Sequence, residues 1–171
     1  MFDRLRRTLR REPEPFPELR DVTMTPIGYV RNKVKEPMPD GWTNVESTIV
    51  LREDCAPMLL NLGDYSHVIV VFWPHLVPDD VRGSKAQMHP RGDNRFPLMG
   101  VLATRSQTRP NPVLITPVRL LEVAGSKLRV RGLDAIDDTP VLDVKPYLPH
   151  HDEVEDARVP RWVEEAQSWR G

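Results

Sequence analysis

The sequence has a single cysteine, Cys55, so no intrachain disulfide is possible and the thiol gives no support to a secreted, stapled scaffold. Cys55 lies in EDCAPMLLNL, which reads as the first turn of a helix, and nothing around it specifies the electropositive setting that a reactive thiolate needs. No apolar run reaches the roughly 18 residues of a membrane-spanning helix. The N-terminus is charged, with no hydrophobic segment behind it, so a signal peptide is not expected and the chain reads as soluble and cytoplasmic. Charge of either sign is not in excess: 24 Lys+Arg against 25 Asp+Glu leave a net −1. Bulk electrostatics therefore do not mark a nucleic-acid binder, although a local basic patch is compatible with that balance. GxGxxG, GxxxxGK and GxSxG are all missing, so a nucleotide-like cofactor would have to be held outside a Rossmann or P-loop site. CxxC and HExxH are missing too, and His67, His75, His89, His150 and His151 show no zinc spacing, so no metal site is expected.

Proline is the residue in surplus, with 18 among 171 residues, about twice the usual ~5%. That content argues against a helical bundle and for short strands joined by stiff turns. A length of 171 residues suits one domain with a real core. Residues 1–23 form an N-terminal arm that starts basic, with Phe2, Leu5 and Leu9 at near-helical spacing, then turns acidic and Pro-rich. It reads as a surface arm or as a basic arm touching RNA or another anionic partner. The domain proper is expected over 24–160. TPIGYVRN reads as a first strand, STIVLRE as a second, and DCAPMLLNLGDY as a short helix stopped by Gly63. SHVIVVFWPHL is a continuous β-branched and aromatic run, as expected of a strand buried on both faces. Residues 78–97 have no periodicity and read as a long functional or flexible loop, a lid or substrate guide. PVRLLEVAG and SKLRVRGLDAI read as a hairpin around Ala124-Gly125-Ser126, and TPVLDVKPYLP adds one more strand. Residues 161–171 form a helical tail, within a stretch that places Trp162, Val163, Ala166 and Trp169 along one side. The sum is a mainly β, small single-domain barrel or sandwich of about six or seven short strands with a few short helices.

Two stretches carry candidate chemistry. In ATRSQTRPNPVLI, Thr104, Arg105, Ser106, Arg109 and Asn111 are interleaved with Pro110 and Pro112. Prolines stiffen the loop, and arginine offers a planar fork for carboxylate or phosphate, so the loop reads as a preorganised anion-binding or ligand-positioning element. Its bland alternative is a stiff turn with solvent-facing arginines. In GLDAIDDTPVLDVKPY, Asp137 and Asp138 fit an ordinary turn, while Asp134 and Asp143 sit among apolar residues. A carboxylate buried there must find donors, and an arginine of the first stretch is a candidate partner. His75 lies where the central strand leaves the sheet, a position that either lines a pocket or caps the structure. His150 and His151 are expected to face solvent.

GVLATRSQTRPNPV over 100–113, VRGLDAIDDTPVLDVKPYLPHHD over 130–152 and YSHVIVVFWPH over 65–75 together resemble the TrmO family, also called YaeB-like or TsaA-like proteins. The resemblance spans roughly residues 24–160 and implies a small barrel, a homodimer, and S-adenosyl-L-methionine bound outside any Rossmann fold. The implied reaction is N6-methylation of threonylcarbamoyl-adenosine beside the tRNA anticodon. The implied cofactor contacts are Asp40, Gly41 and Trp42, His75 with Leu76, Arg105, Pro117, and Leu133, Asp134, Ala135 and Ile136. For the chemistry itself the candidates are Asp134 or Asp143 as proton acceptor and Arg109 and Asn111 as holders of cofactor or substrate anions. Three departures stand out. Leu114 replaces a family glycine, Asp138 replaces another, and a chain ending at Gly171 is expected to lack the extra C-terminal domain of longer members. The alternatives are a non-enzymatic S-adenosylmethionine-binding regulatory module, a methyltransferase for a small-molecule acceptor, or an enzyme of another class using the same pocket.

Overall fold

The computed structural model describes residues 17–168. The basic start of the arm, with Phe2, Leu5 and Leu9, lies outside the described residues, as do the Ala166 side chain and Trp169. Among the described residues there are eight strands and two α-helices: β1 (Gly28–Arg31), β2 (Glu46–Leu51), β3 (His67–Phe72), β4 (Gln87–Met88), β5 (Met99–Gly100), β6 (Leu114–Ala124), β7 (Lys127–Arg131), β8 (Pro140–Pro146), α1 (Pro149–Asp152) and α2 (Arg161–Ser168). Six of the strands close a barrel in the order β1-β2-β7-β6-β3-β8, antiparallel at every seam, and β4-β5 form a separate ribbon.

The core follows from alternation. Inward residues Val30, Ile49, Val68, Val70, Leu128, Val130 and Val141 have no exposed surface, and Phe72 and Val118 are nearly as buried. β-branched residues suit this half-buried, pleated setting. The expectation that the run around β3 is buried on both faces holds only for its inner face: His67, Ile69 and Val71 are half-buried. A closed antiparallel barrel has one dry face, unlike a parallel sheet covered on both sides. Closure also requires a close approach at Gly28, which pairs with Leu51 on one side and Val141 on the other. A Cβ there would sit 2.4 Å from the Val50 carbonyl oxygen and 2.8 Å from the Leu51 Cα. These are backbone atoms and cannot step aside. Gly28→Ala is therefore expected to destabilise the barrel by about 1–3 kcal/mol, read as a lowered denaturant midpoint.

The expected helix over DCAPMLLNLGDY is instead two 3₁₀ segments, Glu53–Leu59 and Leu62–Asp64. Pro57 inside the first removes a helical donor, and Asn61, at φ 63°, takes the left-handed conformation that breaks the run. Gly63 lies within the second turn rather than stopping the first. Cys55 and Leu59 drop from these turns into the core, so the lone thiol is a packing residue, 3% exposed.

The 78–97 segment is not structureless. It turns at Asp79–Val81 and Pro90–Gly92, contributes β4, and is stitched to the proline loop by Gly83 N–H donating to the Thr108 carbonyl at 2.8 Å. Phe96, 4% exposed, packs against Trp162 of α2 with ring centroids 5.7 Å apart, which seats the tail helix on this segment.

Candidate functional site: an opening in the barrel wall

β6 is eleven residues long but meets β7 only from Arg119 onward, where it faces Arg131. Leu114–Val118 therefore pair with β3 alone and present an open edge. β7 ends at Arg131, Gly132 turns the chain at φ 94°, and residues 133–139 run past that edge toward β8. Pro117 fits this place because an antiparallel strand alternates its backbone groups between two neighbours. At 117 the N–H that proline lacks would point to the open edge, and so does the Pro117 carbonyl.

The result is a cleft of about 1220 Å³. Its floor includes Phe72, Val118 and Thr139; its walls are the 37–44 loop, the 74–77 turn after β3, the open edge of β6, and residues 131–132 and 134–136. Of the residues singled out for a cofactor, Asp40, Gly41, Trp42, His75, Leu76, Pro117, Asp134, Ala135 and Ile136 all line it. These come from four separate parts of the chain. Leu133 is not among the lining residues and is fully buried in the core.

The proline loop has a different place. Arg109 bonds the loop's own backbone, its Nε donating to the Ser106 carbonyl at 3.1 Å and its Nη2 to the Thr104 carbonyl. Ser106 and Thr108 share a hydroxyl contact at 2.9 Å, and Asn111 accepts from Val113 N–H through its backbone. Arg105 reaches the open edge, donating to the Ile115 carbonyl at 2.6 Å. Only Gln107 of this loop lines the cleft. The arginines thus brace the loop and fasten it to β6, while Asn111 is exposed.

The aspartates change places relative to the sequence reading. Asp134 is exposed on the cleft wall and accepts from the Thr116 hydroxyl at 2.5 Å. Asp143 sits on β8 opposite Val71, away from the cleft, paired with Lys145. Neither is buried, and neither is held by an arginine of the proline loop. The buried carboxylate is Asp137, with 4% of its side chain exposed. It accepts from Asn32 N–H at 2.8 Å, from Arg31 at 3.3 Å and from Lys35. Asn32 ties in Ser47 at 3.0 Å and the Ala135 carbonyl at 2.8 Å. Asp138, at φ 62°, holds a left-handed conformation that a glycine adopts without cost, and it pairs with Arg31. This network clamps residues 31–35, which lead into the 37–44 wall, to residues 135–138.

The Lys35 ammonium and the Asn32 N–H, with Arg31 nearby, hold the Asp137 carboxyl below its usual range. A depressed carboxylate pKa contributes stability above the unfolded value of about 3.9 and loses it as pH falls through the folded value. Asp137→Asn is expected to cost about 1–3 kcal/mol at neutral pH, chiefly from poorly satisfied donors, and to flatten the loss of stability on acidification. Urea melts at neutral and acid pH check both. Asp93, lowered to about 2 by Arg95, titrates in the same direction and remains in the variant as an internal control.

Further lining residues are not singled out for a role in the sequence. His67, Thr116, Arg119 and Arg131 line the cleft. In sequence, Arg119 and Arg131 are indistinguishable from the solvent-facing residues of alternating strands, and only the register brings them together.

The model of the tRNA-methyltransferase O N-terminal domain matches residues 30–153, from the end of β1 to just past α1. The chain belongs to that family. The TrmO_N match spans the whole clamped cleft. An S-adenosyl-L-methionine-binding protein of Archaeoglobus fulgidus is 34% identical over 135 residues, covering 77% of this chain and 93% of its own. A crystal structure of TrmO from Pseudomonas aeruginosa superposes with a TM-score of 0.65 at 33% identity, covering 82% of this chain. The match takes in 62% of that longer chain. A second structure of the same protein gives the same TM-score at 29% identity, over 88% of this chain and 75% of that one.

Proposed function

We propose that the chain is an S-adenosyl-L-methionine-dependent methyltransferase that binds its donor in the barrel-wall cleft and methylates N6 of a modified, threonylcarbamoylated adenosine in tRNA. The observation that carries the donor site is His75 Nδ1, a buried polar atom with no hydrogen-bond partner, in a cleft lined by nine of the residues singled out beforehand. A buried polar atom without a partner is costly, and a ligand that pairs with it removes the cost. The remaining donor set fits the same group. The Pro117 carbonyl on the open edge suits an amino donor, Trp42 and Ile136 offer apolar wall, and Asp134 with Asp40 suits positive charge.

When bound, S-adenosylmethionine supplies a methyl group to an in-line displacement, its C–S bond breaking with the electron pair retained on sulfur as the new N–C bond forms. The protein's own part is alignment and exclusion of water. Asp134, oriented by Thr116, keeps Oδ2 available to take the proton that an exocyclic amine must shed. Arg105 and Arg109 keep the β6 edge and the loop beside it rigid, a positioning role. On this reading residues 24–160 form the working domain, with the arm before it and the tail after it as accessories. A homodimer and a cytoplasmic setting belong to the same reading and rest on the family resemblance. Met58 and Leu60, 78% and 81% exposed, are apolar surface that a second copy would cover.

Incubation with methyl-labelled donor and total tRNA, followed by digestion to nucleosides, tests the acceptor. Label on a modified adenosine is expected. Donor binding without label in any RNA would favour the regulatory module, and label in a small metabolite would name a different acceptor.

A further inference from the structure

Arg119 faces His67 across one seam of the barrel and Arg131 across the other, so three cationic or potentially cationic side chains share one row over β3, β6 and β7. Directly paired strand residues project on the same face with Cβ atoms about 5 Å apart, and like charges so placed repel. Glu46, next in the row on β2, accepts from Arg131 of the row at 2.7 Å and from Arg129 at 3.3 Å, so its single charge is divided between those two and does not reach Arg119 as a pair. Among the described residues no carboxylate pairs with Arg119. The row is not a remote surface feature, because all three members line the cleft.

The cleft is therefore polarised. Asp40 and Asp134 give it acidic wall, and the row gives it a basic end. His75 follows the end of β3 at Phe72, which pairs with Leu114; Arg119 is five residues further along β6, roughly 17 Å at about 3.4 Å per residue. That span separates the basic row from the end of β3, where the chain turns toward His75. We propose that Arg119 and Arg131, flanked by His67, form an oxyanion subsite that grips a backbone phosphate of the RNA acceptor, apart from the residues that hold the methyl donor. This rests on the reading of the cleft as a methyltransferase site. Arginine suits the task through its planar fork, and two forks at one level offer donors to both free oxygens of a phosphodiester. Exposure of both arginines fits a long ligand that crosses the cleft rim rather than one swallowed by it. The subsite also locates a local basic patch in a chain whose net charge is −1.

The test measures binding of an anticodon stem-loop RNA and, separately, of S-adenosylmethionine to the full chain, its Arg119→Ala variant and its Arg131→Gln variant, across a salt series. Arg119→Ala is expected to weaken RNA binding on the order of tenfold at low salt and to reduce the slope of log Kd against log salt by about one. Donor affinity is expected to stay within twofold. Arg131→Gln should act in the same direction, with a melting curve to separate lost contact from loss of the Glu46 pair. Unchanged RNA affinity and slope in both folded variants would overturn the subsite. Loss of donor affinity with RNA binding intact would also overturn it, by assigning the row to the donor's carboxylate. Failure of the unmodified chain to bind donor at all would instead strike the methyltransferase reading.

Discussion

Replacing His75 with phenylalanine is expected to stabilise the free protein while weakening S-adenosylmethionine binding about tenfold. The two effects share one cause. In the free chain Nδ1 is buried and unpaired, so it carries a desolvation cost with nothing in return. An apolar ring of similar shape removes that cost, and such replacements are neutral or stabilising. In the complex the same substitution deletes a hydrogen bond, about 1.4 kcal/mol and hence about tenfold in affinity. Thermal melts and calorimetric titration on one preparation read both quantities. Parallel loss of stability and affinity would show that His75 caps the turn after β3 and has no direct partner in the ligand.

Asp134→Asn is expected to lower kcat by about 10²–10⁴ while leaving donor affinity nearly unchanged. The variant keeps the acceptor oxygen that Thr116 bonds, so the wall of the cleft should keep its shape. What it loses is the capacity to take a proton from the attacking amine. Single-turnover methyl transfer with saturating donor isolates that step. An Asp143→Asn control should leave the step intact, since Asp143 is paired with Lys145 away from the cleft. A large loss in that control, with no loss at Asp134, would reverse the assignment of the two carboxylates.

Much of the fold could be read before the structure because local rules and tertiary fold agree there. Alternating β-branched residues mark the strands, Gly125 at φ 58° makes the tight hairpin between β6 and β7, and proline punctuates the turns. The cleft residues 40–42, 75–76, 117 and 134–136 entered through the family resemblance, and the fold gathers them from distant parts of the chain. What escaped the sequence depends on register and closure. Nothing local says that β6 outruns β7, so the open edge, and with it the reason a strand tolerates Pro117, appears only in the pairing. The same holds for the row of His67, Arg119 and Arg131. Among the aspartates, apolar neighbours suggested burial at 134 and 143. The chain turns at Gly132 and again at Asp138, and it is Asp137 that faces inward to meet Asn32 and Lys35. The helix expected over 54–65 failed for a local reason: Pro57 and Asn61 each disfavour continuation, and the segment settles into short 3₁₀ turns.

On the proposed reading the cleft has three separable parts: a donor pocket around His75 and Pro117, a proton acceptor at Asp134, and a basic end at Arg119 and Arg131. The clamp through Asp137 and Asn32 ties residues 32–35 to the 135–137 side of the cleft. The most direct test is a calorimetric titration of the full chain with S-adenosylmethionine, alongside its His75→Phe variant. Saturable one-to-one binding, weakened about tenfold in the variant, is the predicted result. No binding to the unmodified chain under conditions where the barrel is folded would contradict the assignment of the cleft.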